Sequence, residues 1–148
     1  MSNVSDVPFS TTLLVRDTCL CLHAQRAARA LARRFDLALR PAGLTNGQFS
    51  LLMSLNRPEP PTIGSVAALL AMDRTTLTAA LKPLKARSLV KVAIDAEDRR
   101  SRRLSLTRAG RTLLAAAVPA WRKEHAAIDA RLSDTDLNRF RTELRALS

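Results

Sequence analysis

Apolar residues recur along this chain at spacings that predict a run of helices interrupted once by a hairpin. From residue 11 to residue 39 there is no Gly or Pro. Leu13, Leu14, Leu20, Leu22, Ala27, Leu31, Phe35 and Leu39 supply apolar surface wider than one stripe. The pattern predicts one long helix buried on more than one side, stopped at Pro41-Ala42-Gly43. Thr45-Asn46-Gly47-Gln48 has the form of a capping box, in which hydroxyl and amide side chains each satisfy the other residue's backbone N–H. Phe49, Leu52, Met53 and Leu55 are its expected buried face, and Pro58, Pro60 and Pro61 require the helix to end by Asn56. The proline segment reads as a rigid connector.

Beyond it the elements become short. Thr62 is a good N-cap for a helix carrying Ile63, Val66, Ala67 and Leu70 at three-and-four spacing. Ala71 and Met72 connect to Asp73, whose carboxylate can cap a second helix with Leu77, Leu81 and Leu84 turned inward. Residues 90–93 and 103–106 read as two strands joined by a polar loop, 94–102. Thr107 is placed to cap a helix running to about Arg131. Leu113, Leu114, Ala117, Val118, Trp121 and Ile128 are its candidate buried positions, and Pro119 should kink it. Residues 133–136 open a final helix with a Leu137, Phe140 and Leu144 stripe. Helix, tight turn, helix and hairpin in that order is a winged helix-turn-helix, so the expected class is mainly α (α+β). A single domain, 1–148, is expected, with dimerisation helices at 11–40 and 108–148 around a reading region at 45–107.

The outward face of the second short helix is small, hydroxylic and basic: Arg74, Thr75, Thr78 and Lys82, with Thr76 beside them. Such side chains suit the major groove, where Arg bonds guanine edges and the Thr methyl touches thymine. The hairpin tip holds Arg99, Arg100 and Arg102, with Arg103 next to them. That cluster repels itself unless a polyanion or local carboxylates offset it, and Asp98 is the expected tip-ordering partner of one arginine.

Composition narrows the classes. The 148 residues are 47% hydrophobic but only 3% aromatic, which favours packed Leu- and Ala-rich helices. A net charge of +11 and a pI near 11.4 point to a polyanionic partner, with nucleic acid or an anionic membrane surface as the candidates. No apolar run has the length of a membrane span, and residues 1–8 lack a signal pattern, so no membrane partner and a cytoplasmic location are expected. The chain lacks a Gly-rich phosphate loop and a defensible acid–base pair, with His23 and His125 far apart in sequence. It is therefore not expected to be an enzyme, and neither a cofactor nor a metal site is expected.

The run Asp95-Ala-Glu-Asp98-Arg99-Arg100-Ser-Arg-Arg-Leu104-Ser-Leu106-Thr107-Arg-Ala-Gly110, with Leu44-Thr45 and Gln48, resembles the MarR family of bacterial transcriptional regulators. Two positions depart from its pattern: Ser88, where a Gly commonly ends the recognition helix, and Pro83 inside that helix. The resemblance implies a homodimer on a pseudo-palindromic operator, acting mostly as a repressor and released by a small aromatic or anionic effector. His23, Arg26, Gln48 and Trp121 are candidate pocket residues. Cys19 and Cys21 support an alternative, a thiol-based oxidant sensor, since Cys21 matches the reactive position of the family's organic-hydroperoxide-sensing branch. On a continuous helix the two cysteines point about 200° apart and cannot form a disulfide without local unwinding. Cys19 and His23 would share a face, where an imidazole can favour the thiolate. Outside this class, a non-specific nucleoid-type basic protein would carry the same charge.

Overall fold

The computed structural model describes residues 6–148. Its order is α1 (Phe9–Thr18), α2 (Leu20–Leu39), a 3-10 turn (Arg40–Ala42), α3 (Asn46–Ser54), α4 (Ile63–Leu69), α5 (Arg74–Ala86), β1 (Val90–Ile94), β2 (Arg102–Leu106), α6 (Arg108–Arg131) and α7 (Leu137–Arg145). The chain divides within α2 into two compact units, at Arg34 and Phe35.

In the first unit, the single long helix expected over residues 11–39 is broken at Cys19. Its ψ of 108° leaves the helical region. Polar side chains supply the break without Gly or Pro. The Thr18 hydroxyl donates to the Leu14 carbonyl at 2.7 Å, and the Cys19 sulfur accepts the Leu22 N–H at 3.4 Å, as an N-cap does. Helix α1 buries none of its residues, and Phe9, Leu14 and Val15 are exposed.

The second unit is built from caps that the sequence announces. At α3 the Gln48 N–H donates to the Thr45 hydroxyl at 3.2 Å and the Thr45 N–H to the Gln48 side chain at 3.1 Å. Helix α3 packs against both α4 and α6. Leu51 therefore joins Phe49, Leu52 and Leu55 in the core, while Met53, expected inside, is exposed. Thr62 caps α4 through the Ser65 N–H at 3.1 Å. Leu52, Val66, Leu77, Leu84 and Leu104 form the centre of the core.

Helix α5 continues through Pro83 to Ala86. Its end is a Schellman motif: Leu89 N–H donates to the Leu84 carbonyl and Ser88 N–H to the Lys85 carbonyl. Ser88 takes the left-handed position at φ 58°, so the departure from glycine leaves the motif intact at a cost in backbone strain.

The strands are each one residue longer than expected, and Arg102 belongs to β2 rather than to the loop. They pair antiparallel with Val90 opposite Leu106 and Ile94 opposite Arg102. The proline segment is more than a spacer: Leu104 N–H donates to the Pro61 carbonyl at 2.9 Å, and Thr62 bridges to Arg103. At the foot of the hairpin, Thr107 caps α6 through the Gly110 N–H at 3.0 Å, and its hydroxyl donates to the Ser88 carbonyl at 2.6 Å. The N–H of Thr107 donates to the Leu89 carbonyl at 3.0 Å. These bonds join the end of α5 to the start of α6. Asp136 caps α7, whose apolar stripe is largely exposed, Phe140 and Leu144 included.

Candidate nucleic-acid interface

Two elements present the basic side chains. On α5, Arg74, Thr75, Thr78 and Lys82 are exposed on the side opposite buried Leu77, Leu81 and Leu84. Thr76 sits differently. The Asp73 carboxylate accepts its N–H at 2.7 Å and its hydroxyl at 2.8 Å, so Thr76 closes the cap. These bonds also hold the Asp73 carboxyl below the usual carboxylate range. The hydroxyl of exposed Thr78 donates to the Arg74 carbonyl at 2.8 Å, and its oxygen can still accept a bond.

The hairpin tip sorts its four arginines into two pairs. Arg103 is drawn inward: Nε and Nη2 each lie 3.1 Å from Oδ2 of Asp95, and Nη1 donates to the Pro60 carbonyl at 2.8 Å. Arg102 is half-buried, with Nη1 donating to the carbonyls of Arg99 at 3.0 Å and Ser101 at 3.3 Å. Arg99 and Arg100 are exposed.

The ordering role expected of Asp98 takes another form. Its carboxylate accepts the Arg100 backbone N–H at 2.9 Å, an Asx-turn bond, and its carbonyl accepts the Ser101 N–H. The arginine-pairing carboxylate is Asp95, which is 8% exposed. The Glu97 N–H first, and Arg103 after it, hold the Asp95 carboxyl below its ordinary range. The pairing expected of Asp98 thus falls to Asp95, with Arg103 as its partner. Asp95 is the first residue after β1 and Arg103 the second residue of β2, so the hairpin register sets them side by side.

The effector candidates fall in both units. Trp121 lines an apolar groove of about 550 Å³ within the second unit, with Phe49, Met53, Leu69, Leu70, Val118 and Arg122. Its ring is flanked by Phe35 at 6.5 Å, Phe49 at 6.0 Å and His125 at 4.8 Å between centroids. Gln48 is held in the α3 capping box. In the first unit His23 and Arg26 are exposed on α2. The His23 Nδ1 lies 2.8 Å from the carbonyl oxygen of Cys19, so the imidazole faces the backbone and not the thiol as expected. Cys21 is exposed, and its sulfur accepts from Gln25 Nε2 at 3.2 Å. Among the described residues no helix is long and apolar enough to cross a membrane.

The comparisons agree with this architecture. The MarR family model matches residues 44–101. The crystal structure of the M. tuberculosis transcriptional regulator MosR in complex with DNA is 41% identical, with a TM-score of 0.79, covering 88% of this chain and 93% of that one. The transcriptional repressor NicR of Pseudomonas putida is 35% identical over 80 residues, 54% of this chain and 51% of that protein. The transcriptional regulator TtmR of Methylorubrum extorquens is 34% identical over 97 residues, 66% of this chain and 50% of its own length. The chain thus spans about half the length of the curated relatives it matches. A winged helix-turn-helix fold, the family's motif in its reading region and 41% identity across nearly the whole of MosR together place this chain in the MarR family of transcriptional regulators.

Proposed function

We propose that this protein is a sequence-specific DNA-binding transcriptional regulator, a cytoplasmic homodimeric repressor of a pseudo-palindromic operator, released by a small aromatic or anionic ligand. The observation that carries the reading is the pairing of an exposed hydroxyl-and-arginine face on α5 with a hairpin whose outer pair, Arg99 and Arg100, stands on the Asp95–Arg103 latch. In this reading α5 enters the major groove through Arg74, Thr75, Thr78 and Lys82, with Thr76 holding the cap. The hairpin contacts the flanking phosphates or minor groove through Arg99 and Arg100, with Arg102 buttressing the tip. Residues 45–107 read DNA, and 11–40 with 108–148 dimerise.

Support for the dimer comes from apolar side chains that the single chain leaves in water: Phe9, Leu14 and Val15 on α1, and Phe140, Leu144 and Leu147 at the far end. A two-fold copy would bury such surfaces. Support for the effector comes from the Trp121 groove, where an aromatic ring can lie along the apolar wall and an anionic group can meet Arg122.

Selection of bound sequences from a random duplex library tests the whole reading. The expected result is an inverted repeat with half-sites about one helical turn apart. Arg74→Ala should then lose about 1–3 kcal/mol on the selected duplex and nothing on a scrambled one. A library that returns no preferred sequence would leave the nucleoid-type reading standing in its place.

One observation favours a second input. The break at Cys19 means that the local unwinding needed by a Cys19–Cys21 bond is already present on one side. An organic hydroperoxide would oxidise the exposed Cys21 thiolate to a sulfenic acid, releasing an alcohol. Attack by the Cys19 thiol would then expel water and close the disulfide. This reading expects peroxide to release DNA, dithiothreitol to restore binding, and Cys21→Ser to be indifferent to oxidant. Release that persists in Cys21→Ser would remove the thiol from the mechanism.

A further inference from the structure

Helix α4 carries a glycine, Gly64, at its second residue, where alanine would make the more stable helix. The backbone does not ask for it, because Gly43 is the one glycine with positive φ among the described residues. The requirement comes from across the turn. A β-carbon at Gly64 would stand 2.9 Å from Nη2 of Arg74 and 3.7 Å from its Cζ. The guanidinium of the first residue of α5 therefore rests in the space that the missing side chain leaves. Gly47, in the first turn of α3, has nothing within 4 Å of the same position, so this proximity is not general to the helical glycines.

The first turn of α4 presents the positive end of its helix dipole, which repels a cation. The neighbouring Asp73 carboxylate is taken up by Thr76. The guanidinium occupies the room above Gly64. Because the contacting atoms are the far end of a flexible side chain, a methyl at residue 64 would displace Arg74 and leave the backbone where it is.

We propose that Gly64 is a positioning residue for DNA reading, leaving the recess that fixes where the Arg74 guanidinium meets the duplex. The proposal rests on the assignment of Arg74 to the cognate site, and the two can fail separately. The full-length protein would be prepared as wild type, Gly64→Ala, Arg74→Ala and the double variant, and titrated against the selected duplex and a scrambled one. Gly64→Ala should melt at or above the wild-type temperature, bind the selected duplex about tenfold more weakly, and bind the scrambled duplex unchanged. The double variant should bind no more weakly than Arg74→Ala alone. Wild-type affinity in Gly64→Ala, losses that multiply in the double variant, or a fall in melting temperature would each overturn the role of Gly64. If Arg74→Ala binds the selected duplex as wild type does, the Arg74 assignment falls first and the inference falls with it.

Discussion

Gly110→Ala is expected to destabilise the fold by about 3 kcal/mol or more, a large share of the 5–15 kcal/mol that holds a typical domain together. A β-carbon at residue 110 would overlap the carbonyl oxygen of Leu89 and come within 3.1 Å of its carbon. That carbonyl cannot withdraw cheaply. It accepts the Thr107 N–H at 3.0 Å, and Leu89 N–H closes the Schellman motif on Leu84. The adjacent Ser88 carbonyl is held by the Thr107 hydroxyl. Relief would have to come from pulling the start of α6 away from the end of α5, opening the core around Leu106 and Leu114. Gly47→Ala is the control, since nothing stands within 4 Å of its β-carbon and alanine is the better helix former. Urea unfolding followed by circular dichroism should show the first variant shifted far to low denaturant and the second equal to wild type or above it. Equal midpoints for Gly110→Ala and wild type would mean that this junction opens freely.

Removing both outer wing charges, in Arg99→Ala/Arg100→Ala, is expected to weaken DNA binding by about a hundredfold at low salt, on cognate and scrambled duplexes alike. Each lost phosphate contact releases one fewer counterion set, so the slope of log K against log salt should flatten by about 2 for the pair. The fold should be untouched, because both side chains are exposed. The hairpin is held by other groups: Asp95 with Arg103, the Asp98 carboxylate with the Arg100 N–H, and the Arg103 bond to the Pro60 carbonyl. The contrast with Arg74→Ala separates the two roles, since losing a base contact should depend on the duplex sequence and losing a phosphate contact should not. Binding isotherms at several salt concentrations decide it. A loss confined to the selected duplex would move Arg99 and Arg100 from phosphate contact to base readout.

The helix order, the caps and the hairpin were legible in the residues alone because each is a local event. Thr45 with Gln48, Thr62 with Ser65, Asp73 with Thr76 and Thr107 with Gly110 all join residues three apart, within one turn of backbone. The wing's charge and the family motif were equally plain. Which arginines face outward was not, because Arg103 is captured by Asp95 across the loop and by a carbonyl at Pro60, 43 residues earlier. The hairpin register brings Asp95 beside Arg103, and the docking of the proline segment on β2 brings the Pro60 carbonyl to the same guanidinium. The break at Cys19 was hidden for the opposite reason. Thr18 and Cys19 are tolerated inside helices, and only the bonds their side chains make turn them into a stop and a start. Local hydrogen-bonding chemistry thus determined the elements and the reading head. Long-range packing decided which charges it shows and that Trp121 faces a groove, since each depends on groups far apart in sequence meeting at contact distance.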